Sequence, residues 1–259
     1  GRTVLASQMG FLYGLDQEWT KQYLVPLFSV SDPQIAQQSW DGFLTWGRLN
    51  TSLADSLFPA LVSALDTLYL DNFDKRRRFI DLFTVAAIIH STLPRGDFLG
   101  PLFRKGDEQD LIVFTSRIGE LLRHLELLAK EELWRTWLRE YWETRLKGSP
   151  RNLFASEVRK MLGWLGDMDD LYPQGVAYAV KSDPVDISDT YFLHRLNKSG
   201  LPRRYEADTA KLLIYLSECL KISMSDHVIS HLLEIKSSLV HLNSDLQARL
   251  DEALAQIGV

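Results

Sequence analysis

The stretch Ser29-Val30-Ser31-Asp32-Pro33-Gln34-Ile35-Ala36-Gln37-Gln38-Ser39-Trp40-Asp41-Gly42-Phe43-Leu44-Thr45-Trp46-Gly47-Arg48-Leu49-Asn50 contains a whole helix with both ends marked. Ser31 or Asp32 can cap its start, and Pro33 suits the first turn, where its missing N–H is not needed. Ile35, Ala36, Trp40, Phe43 and Leu44 recur near helical spacing and form one apolar face. Gly47 is placed to end the helix in a left-handed conformation. A second helix begins after Asn50 or Thr51. This helix–turn–helix unit with an aromatic seam is the pattern for the rest of the chain.

Working outward, the same signals predict helices over about 3–13, 17–28, 33–46 and 52–69, followed by 75–92, 107–128, 131–147 and 153–165. Asp16 should cap the second of these, with Trp19, Tyr23, Leu24, Leu27 and Phe28 facing inward. Pro26 and Pro59 should kink or shorten their helices. Residues 79–89, interrupted by Asp81, are almost continuously apolar, which predicts burial on most sides. Leu93 to Gly106, with Pro94, Gly96, Gly100 and Pro101, is expected to be a loop. Shorter helices are expected over 172–181 and 189–198, a loop over 199–204, and three closing helices over 206–221, 225–239 and 244–257. No convincing strand interrupts them. Pairs recur at roughly 35–45 residues, the rhythm of helical hairpins, without a strict sequence repeat. The expected fold is all-α, either a HEAT-like helical-hairpin solenoid or an irregular multi-helix array. It is read as one helical domain over 1–259, with any subdivision near 93–106 or 148–152.

Composition agrees. The 259 residues are 46% hydrophobic and 24% charged, with only 15 Gly and 9 Pro, which excludes a turn-rich β fold and disorder. The single cysteine, Cys219, excludes an internal disulfide and suits a reducing, cytoplasmic setting. No apolar run is long enough to span a bilayer. The chain opens Gly1-Arg2-Thr3 without an initiator Met or a signal-peptide layout, and so reads as a piece of a longer protein. Net charge is −5 and uneven. Residues 1–72 carry 3 Lys and Arg against 7 Asp and Glu, residues 73–160 carry 17 against 13, and residues 161–259 carry 9 against 14.

Four constellations could carry chemistry. His227 and His231 lie four apart and share a helix face, a spacing that suits two metal ligands. No H-E-x-x-H accompanies them, and Cys219, Glu234 and His241 are arbitrary third ligands, so no metal site is assigned. Asp167, Asp169 and Asp170 look like a cation loop, but the twelfth position from Asp167 is Tyr178, not the glutamate an EF-hand needs. They read instead as a solvated turn capping the next helix. Arg76, Arg77 and Arg78 could grip an anionic partner surface, but adjacent helical positions point apart. The acidic net charge also argues against nucleic acid. Trp134, Trp137, Tyr141 and Trp142 share a face flanked by Arg135, Arg139 and Arg145, with Trp40 and Trp46 earlier. They read either as inter-helix core or as a protein-binding hot spot. The candidate contact residues are therefore Arg76, Arg77, Arg78, Trp134, Arg135, Trp137, Arg139 and Trp142. No nucleophile elbow, Walker loop or dinucleotide fingerprint occurs, and neither catalysis nor a cofactor is expected of this chain.

The motif carried by Ser31, Asp32, Pro33, Ala36, Trp40, Gly42, Phe43, Leu44, Gly47 and Arg48, S-D-P-x-x-A-x-x-x-W-x-G-F-L-x-x-G-R, resembles the helical C-terminal region that follows a sirtuin-like domain in some bacterial proteins. The preceding G-R-T-V-L-A-S-Q-M-G-F-L is similar too, so the resemblance covers about the first fifty residues. It implies that the parent protein is an NAD-consuming enzyme of anti-phage defence. The helical region would then sense a phage component, restrain the enzyme or assemble it. Its partner would be a protein, either a phage component or its own effector domain, with homo-oligomerisation open. No NAD-binding residue carries over, because that domain lies outside this chain; the alternative is a general protein–protein interaction scaffold of α-solenoid type.

Overall fold

Asp32 caps the helix that organises the first unit. Its carboxylate accepts from the Gln34 N–H at 2.9 Å, and Pro33 occupies the first turn. The computed structural model describes residues 1–29, 32–67, 75–89, 99–187, 191–221 and 226–258. Ser31, the break at 71–74, and Leu93, Pro94 and Gly96 lie outside the described residues. Among those described there are helices and no strand, and the fold is all-α.

The chain divides into two compact units, Gly1–Ile118 and Gly119–Val259. The first contains α1 (Arg2–Ser7), α2 (Met9–Leu15), α3 (Gln17–Tyr23), α4 (Pro33–Trp46), α5 (Thr51–Thr67), α6 (Arg76–Ile89), α7 (Leu99–Lys105) and most of α8 (Glu108–Leu122). The expected first helix is two, broken at Gln8. Asp16 caps α3 by accepting from the Trp19 N–H. Pro26 ends the α-helical stretch early, and a 3-10 turn over Val25–Phe28 replaces it. Residue 99 onward is helical rather than loop: Gly100 and Pro101 sit in the first turn of α7, where Pro101 has no internal N–H bond to lose.

The core of this unit is aromatic. Trp40 is fully buried, edge-on to Phe28 at 4.7 Å and to Phe79 at 5.1 Å. α6 buries Phe79, Ile80, Phe83 and Ala87 on one side, while Leu82, Val85, Ile88 and Ile89 are only half-buried, short of the burial on most sides that its apolarity predicts. Leu24 and Phe28 face inward as expected, but Trp19 and Tyr23 are exposed, their rings tilted against each other at 5.6 Å. α3 is too short to bury a full stripe. Gly47 is extended, at φ −67° and ψ 150°, not left-handed. Its lack of a side chain matters for space, because a Cβ there would strike the Phe43 ring. Gly42 is needed for the same reason: a Cβ would fall onto the Thr3 carbonyl, where α1 packs on α4.

The second unit holds α9 (Leu127–Leu133), α10 (Arg139–Leu146), α11 (Ala155–Leu162), α12 (Tyr172–Ala179), α13 (Tyr191–Lys198), α14 (Leu201–Arg204), α15 (Glu206–Leu220), α16 (Asp226–Ser237) and α17 (Ser244–Ala255). A widened π turn, Trp134–Leu138, joins α9 to α10. The expected loop at 199–204 contains a single helical turn, α14, entered through Gly200 at φ 74°. Helices pair across the sequence, α12 with α15, α13 with α16, and α15 with α17. Pairings between sequence neighbours, such as α2 with α3 and α5 with α6, occur beside pairings that skip neighbours, such as α1 with α4 and α13 with α16.

Candidate functional site

Four of the eight candidate contact residues, Arg76, Trp134, Trp137 and Trp142, turn out to be structural. Trp134, Trp137 and Trp142 are buried, as is Tyr141. Trp142 sits edge-on to Trp164 at 5.3 Å and to Trp134 at 6.2 Å, and Trp134 Nε1 donates to Gln174 Oε1 at 2.7 Å. The aromatic face is therefore core, and the hot-spot reading of these three tryptophans is overturned. Of their arginine neighbours, Arg135 and Arg139 are exposed, with Arg135 donating to Glu132 on the same helical stretch. Arg145 is not a flanking surface charge at all. It is fully buried and donates from Nε to Glu157 Oε1 at 2.8 Å and from Nη2 to Glu157 Oε2 at 2.9 Å. Its Nη1 also binds the Ser149 and Arg151 carbonyls, which pins the α10–α11 connection.

Tyr141 completes this buried triad by donating to Glu157 Oε1 at 2.8 Å. Burial, with the adjacent Glu157 charge, pushes the Tyr141 hydroxyl well above its ordinary range. Burial works against the Arg145 charge, but the hydrogen bond and charge of Glu157 outweigh it and hold the guanidinium above its usual value. Sequence reading missed this triad because each residue is individually ordinary on a helix. A charged residue in the apolar stripe of α11 was the only available signal.

The arginine run splits. Arg76 turns to Asp107 and Asp110 at the start of α8, with Nε 2.8 Å from Asp110 Oδ1, while Arg77 and Arg78 are exposed. The three aspartates of the 167–170 turn do not converge on a cation either. Asp167 pairs with Arg195, Asp169 with Lys130 at 2.6 Å, and Asp170 with Arg204 at 2.6 Å. They brace three different helices, and no side chain caps α12, contrary to the capping role expected of them. Among the described residues no group of three or more His, Cys, Asp or Glu side chains is arranged to hold a metal ion. No helix among them is long and apolar enough to cross a membrane.

One exposed feature lies on the first unit. An open cleft of about 370 Å³ is lined by Ser7, Gln8, Gly10 and Phe11 on one side and Trp46, Arg48, Leu49 and Asn50 on the other. Trp46 is 75% exposed and Phe11 65%. Trp46 lies six residues beyond Trp40, about 240° round the helix, so one tryptophan is core and the other must face outward. The cleft is held by close backbone approach: a Cβ on Gly10 would lie 2.8 Å from the Arg48 carbonyl oxygen. Tyr13 anchors α2 from behind by donating to the Ser52 carbonyl at 3.0 Å. An exposed Trp and Phe beside an exposed Arg is the composition of a protein-binding hot spot. Nothing in the cleft forms a nucleophile–base pair.

Comparison with curated proteins yields no match, and comparison with solved structures yields none either. Comparison with protein families matches residues 87–252, described as a domain of unknown function, DUF4020. The matched region takes in α7 to α16 and leaves the cleft outside it. Because it spans more than half of the 259 residues, the chain belongs to the DUF4020 family.

Proposed function

We propose that this chain is a non-catalytic regulatory or assembly module of a larger bacterial anti-phage defence protein whose sirtuin-like effector consumes NAD. The chain contributes recognition, and the chemistry belongs to the effector. It senses a phage component, restrains the effector or assembles it. The observation that carries the recognition role is the Phe11/Trp46/Arg48 cleft: large aromatics left in water beside an arginine gain most when a protein partner covers them. The link to defence rests on the resemblance at 31–48, whose Gly42 seats α1 on α4 and whose Arg48 lines the cleft.

The test compares the parent protein, the parent lacking this chain, and the parent with Phe11→Ala and Trp46→Ala together. NAD is measured in infected and uninfected cells. Both substituted residues are mostly exposed, so each change should move stability by no more than about 0.5 kcal/mol. The expected result is infection-dependent NAD loss in the parent, altered triggering in the double variant, and intact NAD with this chain alone. NAD hydrolysis by the isolated chain would overturn the reading, as would a normal response from the parent lacking it.

A further inference from the structure

The first two helices carry two apolar faces. Gln8 interrupts the α-helical angles, but its N–H still donates to the Val4 carbonyl and its own carbonyl accepts from the Leu12 N–H. The hydrogen-bond ladder therefore runs on from α1 into α2. One face, Ala6, Met9 and Tyr13, is buried in the core of the first unit. The other, Val4, Gln8, Phe11 and Leu15, is exposed, with Val4 at 64% and Leu15 at 68%. These four stand 4, 3 and 4 residues apart, the alternation that brings the core positions of a coiled-coil heptad onto one seam. Trp46 widens the seam from the other side of the cleft that Phe11 lines. Phe11 and Trp46 alone expose about 200–350 Å² between them. With Val4, Leu5 and Leu15 the patch reaches the few hundred Å² beyond which exposed apolar surface marks an interaction site.

Charge narrows what can cover this seam. Residues 3–15 contain no Asp, Glu, Lys, Arg or His, so the seam itself holds nothing for a charged peptide. It lacks the Lys and Arg by which an interfacial helix holds a lipid surface, and its opposite face is core rather than water-facing. Two copies of the seam, by contrast, meet without like-charge repulsion. A Cβ on Gly14, beside Leu15, would meet nothing within 4 Å, so this flank is open to a neighbouring helix. We infer that the α1–α2 stretch pairs with its counterpart in a second copy of this chain, Val4, Phe11 and Leu15 interdigitating across a two-fold axis with Trp46 at the rim. Gln8 is the one polar core position, which fixes the register and weakens the pairing. The seam is short, so the dimer is small and reversible. The inference rests on the reading of the Phe11/Trp46 cleft as a recognition surface and names its partner.

The test is sedimentation equilibrium of the whole chain over about 1–200 µM, the range in which a small interface associates. The mass should rise from 29.7 kDa toward twice that value. Each variant is first checked for unchanged circular dichroism and melting temperature. Phe11→Glu with Leu15→Glu should hold the chain at one copy, because carboxylates then face each other across the seam. Phe11→Ser with Leu15→Ser, which adds no charge, should weaken association at least about 10-fold. Gln8→Leu should tighten it about 10-fold, since the polar core position is gone. Leu128→Glu, at a leucine just as exposed in the second unit, should change nothing. A chain that stays monomeric throughout overturns the inference. So does association that survives the paired Glu substitutions, falls in Leu128→Glu, or is no tighter in Gln8→Leu. The NAD response of the parent protein is read separately, so a monomeric chain removes the dimer and leaves the recognition role to its own test.

Discussion

Replacing Glu157 with alanine should be among the most damaging single changes in the second unit. Glu157 and Arg145 are both fully buried. The substitution removes the acceptor of three hydrogen bonds, one from Tyr141 and two from Arg145, and leaves a guanidinium charge in the interior. Taking one partner from a buried ion pair costs about 3–5 kcal/mol, because the remaining charge keeps its desolvation penalty and loses its compensation. For a chain of this size that corresponds to a fall of about 6–20 °C in melting temperature. Urea unfolding read by tryptophan emission suits the measurement, since Trp134, Trp137, Trp142 and Trp164 all lie in this unit. Trp164 lies tilted against Tyr141 itself, ring centroids 6.1 Å apart. A double-mutant cycle with Arg145→Met separates the pair from the general effect of truncation. Once Glu157 is gone, losing Arg145 should cost much less than it does in the parent. A loss below about 1 kcal/mol in Glu157→Ala would refute the buried-pair argument. So would single-variant losses that simply add to within about 0.5 kcal/mol.

Two further expectations concern the first unit. Gly42→Ala should destabilise by about 1–3 kcal/mol, because the new methyl collides with the Thr3 backbone and pushes α1 off α4. The helix gain of alanine over glycine, about 0.5–1 kcal/mol, cannot offset it. Gly14→Ala has open space around it and should be neutral or stabilising, so equal melting temperatures for the two variants would contradict the packing argument. Asp107 governs a pH effect. Burial pushes its carboxyl upward, but hydrogen bonds with Asp110 and the Arg76 charge outweigh this and hold it below its ordinary value. A depressed folded-state pKa stabilises the fold above the ordinary aspartate value of about 3.9 and loses that contribution as pH falls through the lower folded value. Asp107→Asn should therefore be less stable than the parent near neutral pH, with the gap closing below about pH 4. A gap in urea midpoint that stays constant down to pH 2.5 would contradict this.

Helix positions were largely legible because they depend on local chemistry. Asp16, Asp32 and Asn243 accept from backbone N–H groups at helix starts, and a side chain two or three residues away suffices for that. The closing helices follow their periodicity to within a few residues. Legibility failed where the answer required knowing what lay opposite. The tryptophans around 134–142 and Trp46 belong to the same residue class, yet the first group is core and Trp46 is in water. The three arginines at 76–78 look alike, yet Arg76 bridges to Asp110 while its neighbours face out. Gly100 and Pro101 signalled a loop but begin a helix, because glycine and proline are tolerated in a first turn.

The sequence by itself determined an all-helical chain, the capped helix at 33–46, and an aromatic core, because propensity, caps and apolar period act within a few residues. Tertiary structure alone decided the Arg145–Glu157–Tyr141 triad, the contact of His194 with His231, and the cleft between Phe11 and Trp46. Glu157 lies 12 and 16 residues from its partners in the first case, and the members of the others are more than thirty apart. No local signal encodes which charge, ring or backbone will be met across such a gap. That depends on how each apolar stripe finds its mate, and the same packing leaves Trp46 and Phe11 with none.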